Sequence, residues 1–308
     1  MCKILVTGGT VFVSRFTAAY FVNRGYEVWV LNRNTRPQVP GVHLIEGDRH
    51  ALGEKLKGHH FDTVLDICAY TRRDVEDLVR ALGTYGDYIF ISSSAVYPET
   101  LPRPFREDQN CGPNCVWGAY GTNKLEAEDW LRAQLPDAYI LRPPYIYGPM
   151  QNVYREGFVF DCARENRVFC LPGEGELELQ FFHVEDLCRF MEILLQKRPG
   201  QKVFNVGNPD TVTVRHWAAL CYAAAGAEFR SCGVTGHPQR SFFPFYDYAY
   251  CLDVSAQRAL MPEVKSLEEG LRESWLWYRE NEAAVVKKPL LDYICREIYP
   301  EGQVKESC

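Results

Sequence analysis

Tyr120 and Lys124 stand four residues apart in Tyr120-Gly121-Thr122-Asn123-Lys124, so on a helix they share one face. A phenol titrates near ~10 when unperturbed, too high for a base at neutral pH. An ammonium one turn away favours the phenolate and lowers that value. Upstream, the apolar run Tyr88-Ile89-Phe90-Ile91 breaks into Ser92-Ser93-Ser94-Ala95-Val96-Tyr97-Pro98, so hydroxyls sit where a short buried strand would end. A serine there would hold a substrate oxygen near the phenol. Tyr, Lys and Ser so arranged suit proton transfer to or from an alcohol or a carbonyl. A Tyr-x-x-x-Lys pair alone arises by chance in many helices. The serine-ended strand before it, and a glycine turn near the start of the chain, favour chemistry.

That turn belongs to the frame these residues need. Lys3 to Thr7 reads as a strand, Gly8-Gly9-Thr10 as a tight turn, Val11 to Asn23 as a helix closed by Arg24-Gly25, and Glu27 to Leu31 as a second strand. A βαβ unit of this kind receives a dinucleotide pyrophosphate on the N–H groups at the helix start. Further strands are expected at Val42–Glu46, Thr63–Ile67, Tyr88–Ile91, Ala138–Leu141 and Val203–Val206, with helices from Asp74 to Leu82 and from Tyr120 onward. The pattern predicts an α/β fold, a Rossmann doubly wound parallel sheet, with a less regular region from Met150 onward.

With its motifs in this order along nearly the whole chain, the sequence resembles the extended short-chain dehydrogenase/reductase family, the group of nucleotide-sugar epimerases and dehydratases. The resemblance implies a smaller C-terminal substrate-binding domain, with residues 1–149 plus 184–206 forming the dinucleotide domain and 150–183 plus 207–308 the substrate lobe. It also implies Tyr120 as catalytic base, Lys124 as the cation that tunes it and binds the cofactor ribose, and Ser93 as the hydroxyl that orients substrate. It implies cofactor contacts from Gly8, Gly9, Thr10, Val11, Phe12 and Val13 in the first turn, and from Asn32 and Arg33 after the second strand. Asp48 would lie by the adenine, Ala69, Tyr70 and Ser92 along the cofactor, and Pro143 and Tyr145 against the nicotinamide.

Departures from the family pattern carry information. Relatives write the turn as Thr-Gly-Gly-x-Gly-x-x-Gly, whereas here the middle glycine is Val11 and the last is Ser14. Valine at the close-approach position would crowd the pyrophosphate, so a Rossmann shell without its dinucleotide stays open beside the binding reading. NAD-preferring folds place Asp or Glu after the second strand; this chain has Asn32-Arg33, with Arg36 behind. A guanidinium clasps a 2′-phosphate by paired hydrogen bonds, which favours NADP over NAD, a solvated arginine being the alternative. Family dehydratases follow the catalytic hydroxyl with an Asp-Glu pair; Ser94-Ala95 stand there instead and disfavour dehydration. The arginine that relatives use on a UDP-sugar diphosphate corresponds to Leu179, followed by Gln180, leaving Arg240 or Arg155 as substitutes.

Bulk properties bound the function classes. The chain has 308 residues, a net charge of −6 and 46% hydrophobic residues. It gives no electrostatic invitation to nucleic acid or anionic membrane. No segment approaches the roughly 18 apolar residues of a membrane span, and the first strand begins by Lys3, so a cytoplasmic protein without signal peptide is expected. Twelve cysteines are dispersed; only Cys111 and Cys115 are close, and without a second ligand pair they read as two reduced thiols rather than a metal site. His183 reads as a structural histidine ahead of a substrate contact. Phe242, Phe243, Phe245, Tyr246 and Tyr248 read as core or interface ahead of a substrate cage. The tail beyond Val285 reads as a packed extension or a dimer arm.

The expected function is therefore an NAD(P)-dependent epimerase or reductase acting on a hydroxyl or carbonyl of a sugar-like small molecule, with a homodimer open as its assembly. A dinucleotide-sensing protein without turnover is the alternative. An RNA-binding relative comes third, because chloroplast stem-loop RNA-binding proteins resemble this branch while the acidic balance opposes phosphate neutralisation.

Overall fold

The computed structural model of the protein describes residues 2–299. Strands β1 (Lys3–Thr7), β2 (Glu27–Asn32), β3 (His43–Glu46), β4 (His60–Asp66), β5 (Thr84–Ile91) and β6 (Tyr139–Arg142) join Val203–Asn205 in one seven-stranded sheet. Its order is Val203–Asn205, β6, β5, β4, β1, β2, β3, and every pairing is parallel. Strands buried on both faces explain the near-continuous apolar runs read in the sequence. Successive residues point to opposite faces. Thus Ile4, Val6, Ile89 and Ile91 join one core with Phe21 and Phe190, while Leu5 and Phe90 join another with Leu78 and Leu131.

Helices cover both faces. On one lie α1 (Phe12–Asn23) and the later Val184–Lys197; on the other lie α2 (Arg72–Ala81) and α3 (Ala119–Gln134). Helix α2 starts two residues before the expected Asp74, because Thr71 and Asp74 form a reciprocal capping box that fixes the first turn. Among the described residues no helix is long and apolar enough to cross a membrane.

A second core gathers Tyr147, Phe158, Phe169, Trp217, Phe243, Phe245 and Tyr278. It is built from α4 (Glu156–Arg164), the paired strands Phe169–Pro172 and Ser231–Val234, and the helices Val214–Ala225 and Leu267–Asn281. Phe242, Phe243 and Phe245 are core residues, as their composition predicts. This core is separate from the two that flank the sheet. However, Tyr250, Leu252 and Val254 pack with Val96, Tyr97 and Phe105, and Met261 enters the sheet's own core. The tail packs as an extension through the described residues, with Val285, Leu290 and Ile294 in the second core; residues 300–308 lie outside them.

Candidate active site

Strand β5 ends at Ile91, and the chain turns through the short 3-10 segment Ser94–Val96 with the Ser93 hydroxyl accepting the Ala95 N–H at 3.2 Å. Helix α3 lies directly on that turn. A Cβ at Gly121 would stand 2.3 Å from the Ala95 carbonyl oxygen, so only glycine permits the approach. This contact delivers Tyr120 to the strand end, where it lines one cleft with Ser93, close enough for the serine to influence the phenol. One face of the Tyr120 ring is open, at 40% exposure. Enclosure of the hydroxyl raises its pKa above the usual phenol value, and Ser93 and the charge of Arg155 pull it back.

Lys124 behaves differently from the sequence expectation. Its side chain is 2% exposed, and its ammonium donates to the carbonyls of Ala69 and Ile91, each at 2.7 Å. Desolvation pushes its pKa down to about 8, against the pull of Asp66, Cys68 and Glu128. The cation felt at Tyr120 is Arg155, from the N-terminus of α4. Spacing places Tyr120 and Lys124 on one face, but the long lysine stem carries its charge down to the strand ends.

The Ser92 hydroxyl, expected along the cofactor, turns into the protein and donates to Glu128 at 2.5 Å. Glu128 also receives the Nε and Nη2 of Arg142 at 3.0 and 2.6 Å. Arg142 in turn donates to the Tyr97 hydroxyl at 2.7 Å, and that hydroxyl donates to Asn205 at 2.8 Å. All five side chains are buried. The network fixes α3 to the ends of β5, β6 and Val203–Asn205, with the partners a buried ion pair needs.

The dinucleotide groove begins at Gly8 and Gly9, both at φ +87°, where added Cβ atoms would meet Cys68 and Val30 within 3 Å. Helix α1 that follows has no side-chain cap and no acidic residue in its first turn, so its leading N–H groups are open to an anion. Val11 sits in extended backbone at φ −135°, which suits a branched residue, and the left-handed position falls on Phe12 at φ +33°. The backbone of the loop thus accommodates a branched residue at position 11. Phe12 and Val13 line the cleft, while Thr10 is half-buried beside them.

At the end of β2, Asn32 donates to the Gly8 carbonyl at 2.7 Å and to Gln38 at 3.0 Å. Arg33 and Asp48 are both exposed, Asp48 accepting the His50 N–H at 2.9 Å. Asp66, fully buried at the end of β4, accepts from Thr7, Arg49 and Tyr88 at 2.8, 2.7 and 2.7 Å. The open helix start and the glycine turn fit a dinucleotide.

One cleft of 380 Å³ brings together Phe12, Val13, Tyr70, Ser92, Ser93, Tyr120, Lys124, Pro143 and Tyr145. Ala69 touches it through the carbonyl held by Lys124; Asn32, Arg33 and Asp48 are not among its lining residues. Sequence reading missed Trp117 and Tyr250, which also line it. Trp117 follows the two cysteines in the loop before α3, and nothing in its local pattern marked it. Tyr246 and Tyr248 pack edge-on against Trp117, so that half of the aromatic segment walls the site. A larger depression of 680 Å³ along α1 and Val184–Lys197 contains none of the residues singled out by the sequence.

His183 lies outside the cleft lining. It caps Val184–Lys197 by accepting the Glu185 N–H at Nδ1, which leaves the proton on Nε2 facing Glu273 at 3.5 Å. His183, Glu185 and Glu273 converge closely enough to hold a metal ion, but the Lys265 ammonium fills that position at 2.5 and 2.6 Å from the two carboxylates. Cys111 and Cys115 stand as separate thiols. Leu179 is buried, and Gln180 staples Asn208 and Leu252 through their backbones.

Comparison with known proteins agrees with this geometry. Residues 4–207 match the NAD dependent epimerase/dehydratase family. The chain is 28% identical over 303 residues to the chloroplast stem-loop binding protein of 41 kDa b of Arabidopsis thaliana, covering 89% of this chain and 78% of that one. It is 26% identical to a dTDP-glucose 4,6-dehydratase of Streptomyces niveus, covering 91% and 94%. In fold it is similar to a UDP-glucose 4-epimerase of Thermotoga maritima solved with UDP-glucose, with a TM-score of 0.74 at 21% identity over 91% of this chain and 99% of that one. A dTDP-glucose 4,6-dehydratase of Bacillus anthracis in complex with NAD gives a TM-score of 0.71 at 20% identity over 94% and 100%. With a parallel seven-stranded sheet, an open helix start after two glycines and a tyrosine sharing one cleft with a strand-end serine, the chain belongs to the NAD-dependent epimerase/dehydratase family, as an enzyme of the extended short-chain dehydrogenase/reductase type.

Proposed function

We propose that the protein is an NAD(P)-dependent epimerase or reductase acting on a hydroxyl or carbonyl of a sugar-like molecule, with Tyr120 as general base. The observation that carries this reading is that Ser93, Tyr120 and Lys124 line one cleft, beside the strand end and the open start of α1. Ser93 orients the reacting oxygen, and Tyr120 takes its proton or returns one to a carbonyl. Arg155 favours the phenolate across the cleft, a role expected of Lys124 from spacing alone. Lys124, held by two backbone carbonyls, keeps a donor for the ribose of the dinucleotide. The bound nicotinamide supplies hydride acceptance and return.

NADP is favoured over NAD. Asn32 places no carboxylate where a 2′-phosphate would sit, and Arg33 is exposed beside it. Ser94 and Ala95 in place of an acid pair disfavour dehydration, although two of the relatives in sequence are dehydratases. A small-molecule substrate, no nucleic acid, a cytosolic setting and a homodimer belong to the same proposal. The stem-loop binding relative keeps RNA as a competing partner; a net charge of −6 opposes it.

The experiment is a screen of sugar and keto compounds for hydride exchange with bound dinucleotide, repeated on two variants. Tyr120→Phe removes one hydroxyl and is expected to abolish turnover while leaving the fold and dinucleotide affinity nearly intact. Lys124→Met is expected to damage both. A Tyr120→Phe protein that turns over an active compound as fast as the parent refutes the assignment.

A further inference from the structure

Arg155 lines the cleft, Arg240 and Lys288 lie on segments beside it, and none of the three forms an ion pair with a carboxylate among the described residues. Arg155 spans Tyr145 and Phe245, with its guanidinium 5.5 and 5.8 Å from their ring centroids, and one Nη donates to the Ile146 carbonyl at 3.1 Å. Its Nε and the Tyr145 hydroxyl are sealed from solvent, and neither has a hydrogen-bond partner. Arg240 lies over the Tyr246 ring at 4.6 Å and donates to the Pro244 carbonyl. The third cation arrives on the C-terminal tail: Val286 donates to the Asn152 carbonyl at 3.0 Å and bridges Val153, laying the tail beside Arg155. Lys287 there is neutralised by Asp161 at 2.9 Å and by Glu282, whereas Lys288 has no such partner. Its pKa is pushed down by desolvation and by the charges of Arg240 and Arg155.

Like charges gathered beside orphaned donors make a site that an anion would complete. A phosphate monoester carries about −1.5 to −2 charges at neutral pH and three acceptor oxygens, which suits three cations better than a carboxylate does. The shared cleft sets its place on the substrate, because Arg155 and Tyr120 both line it. The 380 Å³ cleft is at the small end of the ~300–1,000 Å³ range of ligand pockets, and the nicotinamide must share it. We infer that Arg155, Arg240 and Lys288 form an anion subsite that holds the phosphate monoester of a compact sugar-like substrate beside Tyr120. The inference rests on the reading of this cleft as the reaction site.

The test is calorimetry on the full chain saturated with NADP, titrated with inorganic phosphate, glucose 6-phosphate, glucose and uridine diphosphate. Phosphate and glucose 6-phosphate should bind and compete with each other, while glucose should not bind. Lys288→Ala and Arg240→Ala should each weaken glucose 6-phosphate by about tenfold, the usual worth of a charge-assisted hydrogen bond. Lys288→Arg should restore most of that affinity. Lys288 is exposed, so its variants keep the test valid even where Arg155→Ala fails to fold. Bound NADP with no phosphate binding, or glucose 6-phosphate affinity unmoved by Lys288→Ala, overturns the subsite alone. Uridine diphosphate binding at least tenfold more tightly than glucose 6-phosphate overturns the monoester in favour of a nucleotide. Failure of both NADP and phosphate to bind overturns the subsite together with the reading beneath it.

Discussion

Replacing Gly121 by alanine tests how Tyr120 is set beside Ser93. The new Cβ would stand 2.3 Å from the Ala95 carbonyl oxygen and 3.2 Å from its carbon, both backbone atoms that cannot rotate aside. Ordinary contact begins near 3.4 Å, so α3 must retreat by about 1 Å. The same helix is tied down further along by Lys124 to Ala69 and Ile91 and by Glu128 to Arg142. Retreat therefore strains buried hydrogen bonds, and standing still leaves a steric clash. Overpacking of this kind costs ~1–3 kcal/mol. A displacement of about 1 Å in a reacting group can cost ~10²-fold in rate. Gly121→Ala is accordingly expected to lose 1–3 kcal/mol in urea denaturation and about a hundredfold in turnover of whichever compound the screen identifies. Gly58→Ala, where an added Cβ meets nothing within 4 Å, serves as control and should stay within ~0.5 kcal/mol of the parent. A Gly121→Ala protein as stable as that control, with turnover within twofold of the parent, would show that the close approach does not place Tyr120 for catalysis.

Three other outcomes are expected. Glu156 is buried with both carboxylate oxygens unpartnered, and desolvation raises its pKa despite the opposing charge of Arg155. A carboxyl raised above its unfolded value of ~4.3 contributes stability that is present below that value and lost as pH rises through the folded one. Glu156→Gln should therefore gain melting temperature over the parent at pH 8 more than at pH 5; an equal difference at both would refute the burial argument. Arg33→Ala should remove most of a preference for NADPH over NADH, and equal affinities in the parent by calorimetry would sink the NADP reading. Because Val11 occupies backbone suited to valine, Val11→Gly should leave dinucleotide affinity within about threefold and lower stability by ~0.5–1 kcal/mol through chain entropy; a large gain in affinity would mean that the valine side chain does crowd the phosphates.

The sheet was legible because its strands are buried on both faces and read as unbroken apolar runs. The start of β4 was not, since His60 and Asp62 are exposed and only pairing with Thr84 and Asp87 extends the strand there. Spacing placed Tyr120 and Lys124 on one helical face, yet it could not say how far a four-carbon stem reaches before its charge finds two carbonyls. Arg155 shows the reverse limit: it is distant in sequence from Tyr120, and only the packing of α4 brings its charge across the cleft. Ser92 and Ser93 are adjacent and chemically identical, and pleating sends one hydroxyl to Glu128 and the other to the Ala95 N–H. Local pattern likewise gave no sign that Phe12 would take the left-handed position.

The hydrogen bond from Asn32 to the Gly8 carbonyl constrains how an acidic residue could be introduced at this strand end. In NAD-binding folds an acidic residue at this strand end grips the ribose 2′-hydroxyl. Writing Asp at position 32 would replace the donors to Gly8 and Gln38 with a carboxylate facing a carbonyl oxygen at 2.7 Å. The glycine turn would lose its brace in the same step that supplied the new ribose contact. A lineage or an engineer adding an acidic ribose contact here must first brace the turn by other means, so the order of substitutions is restricted, and ribose recognition is tied to the mechanics of the loop.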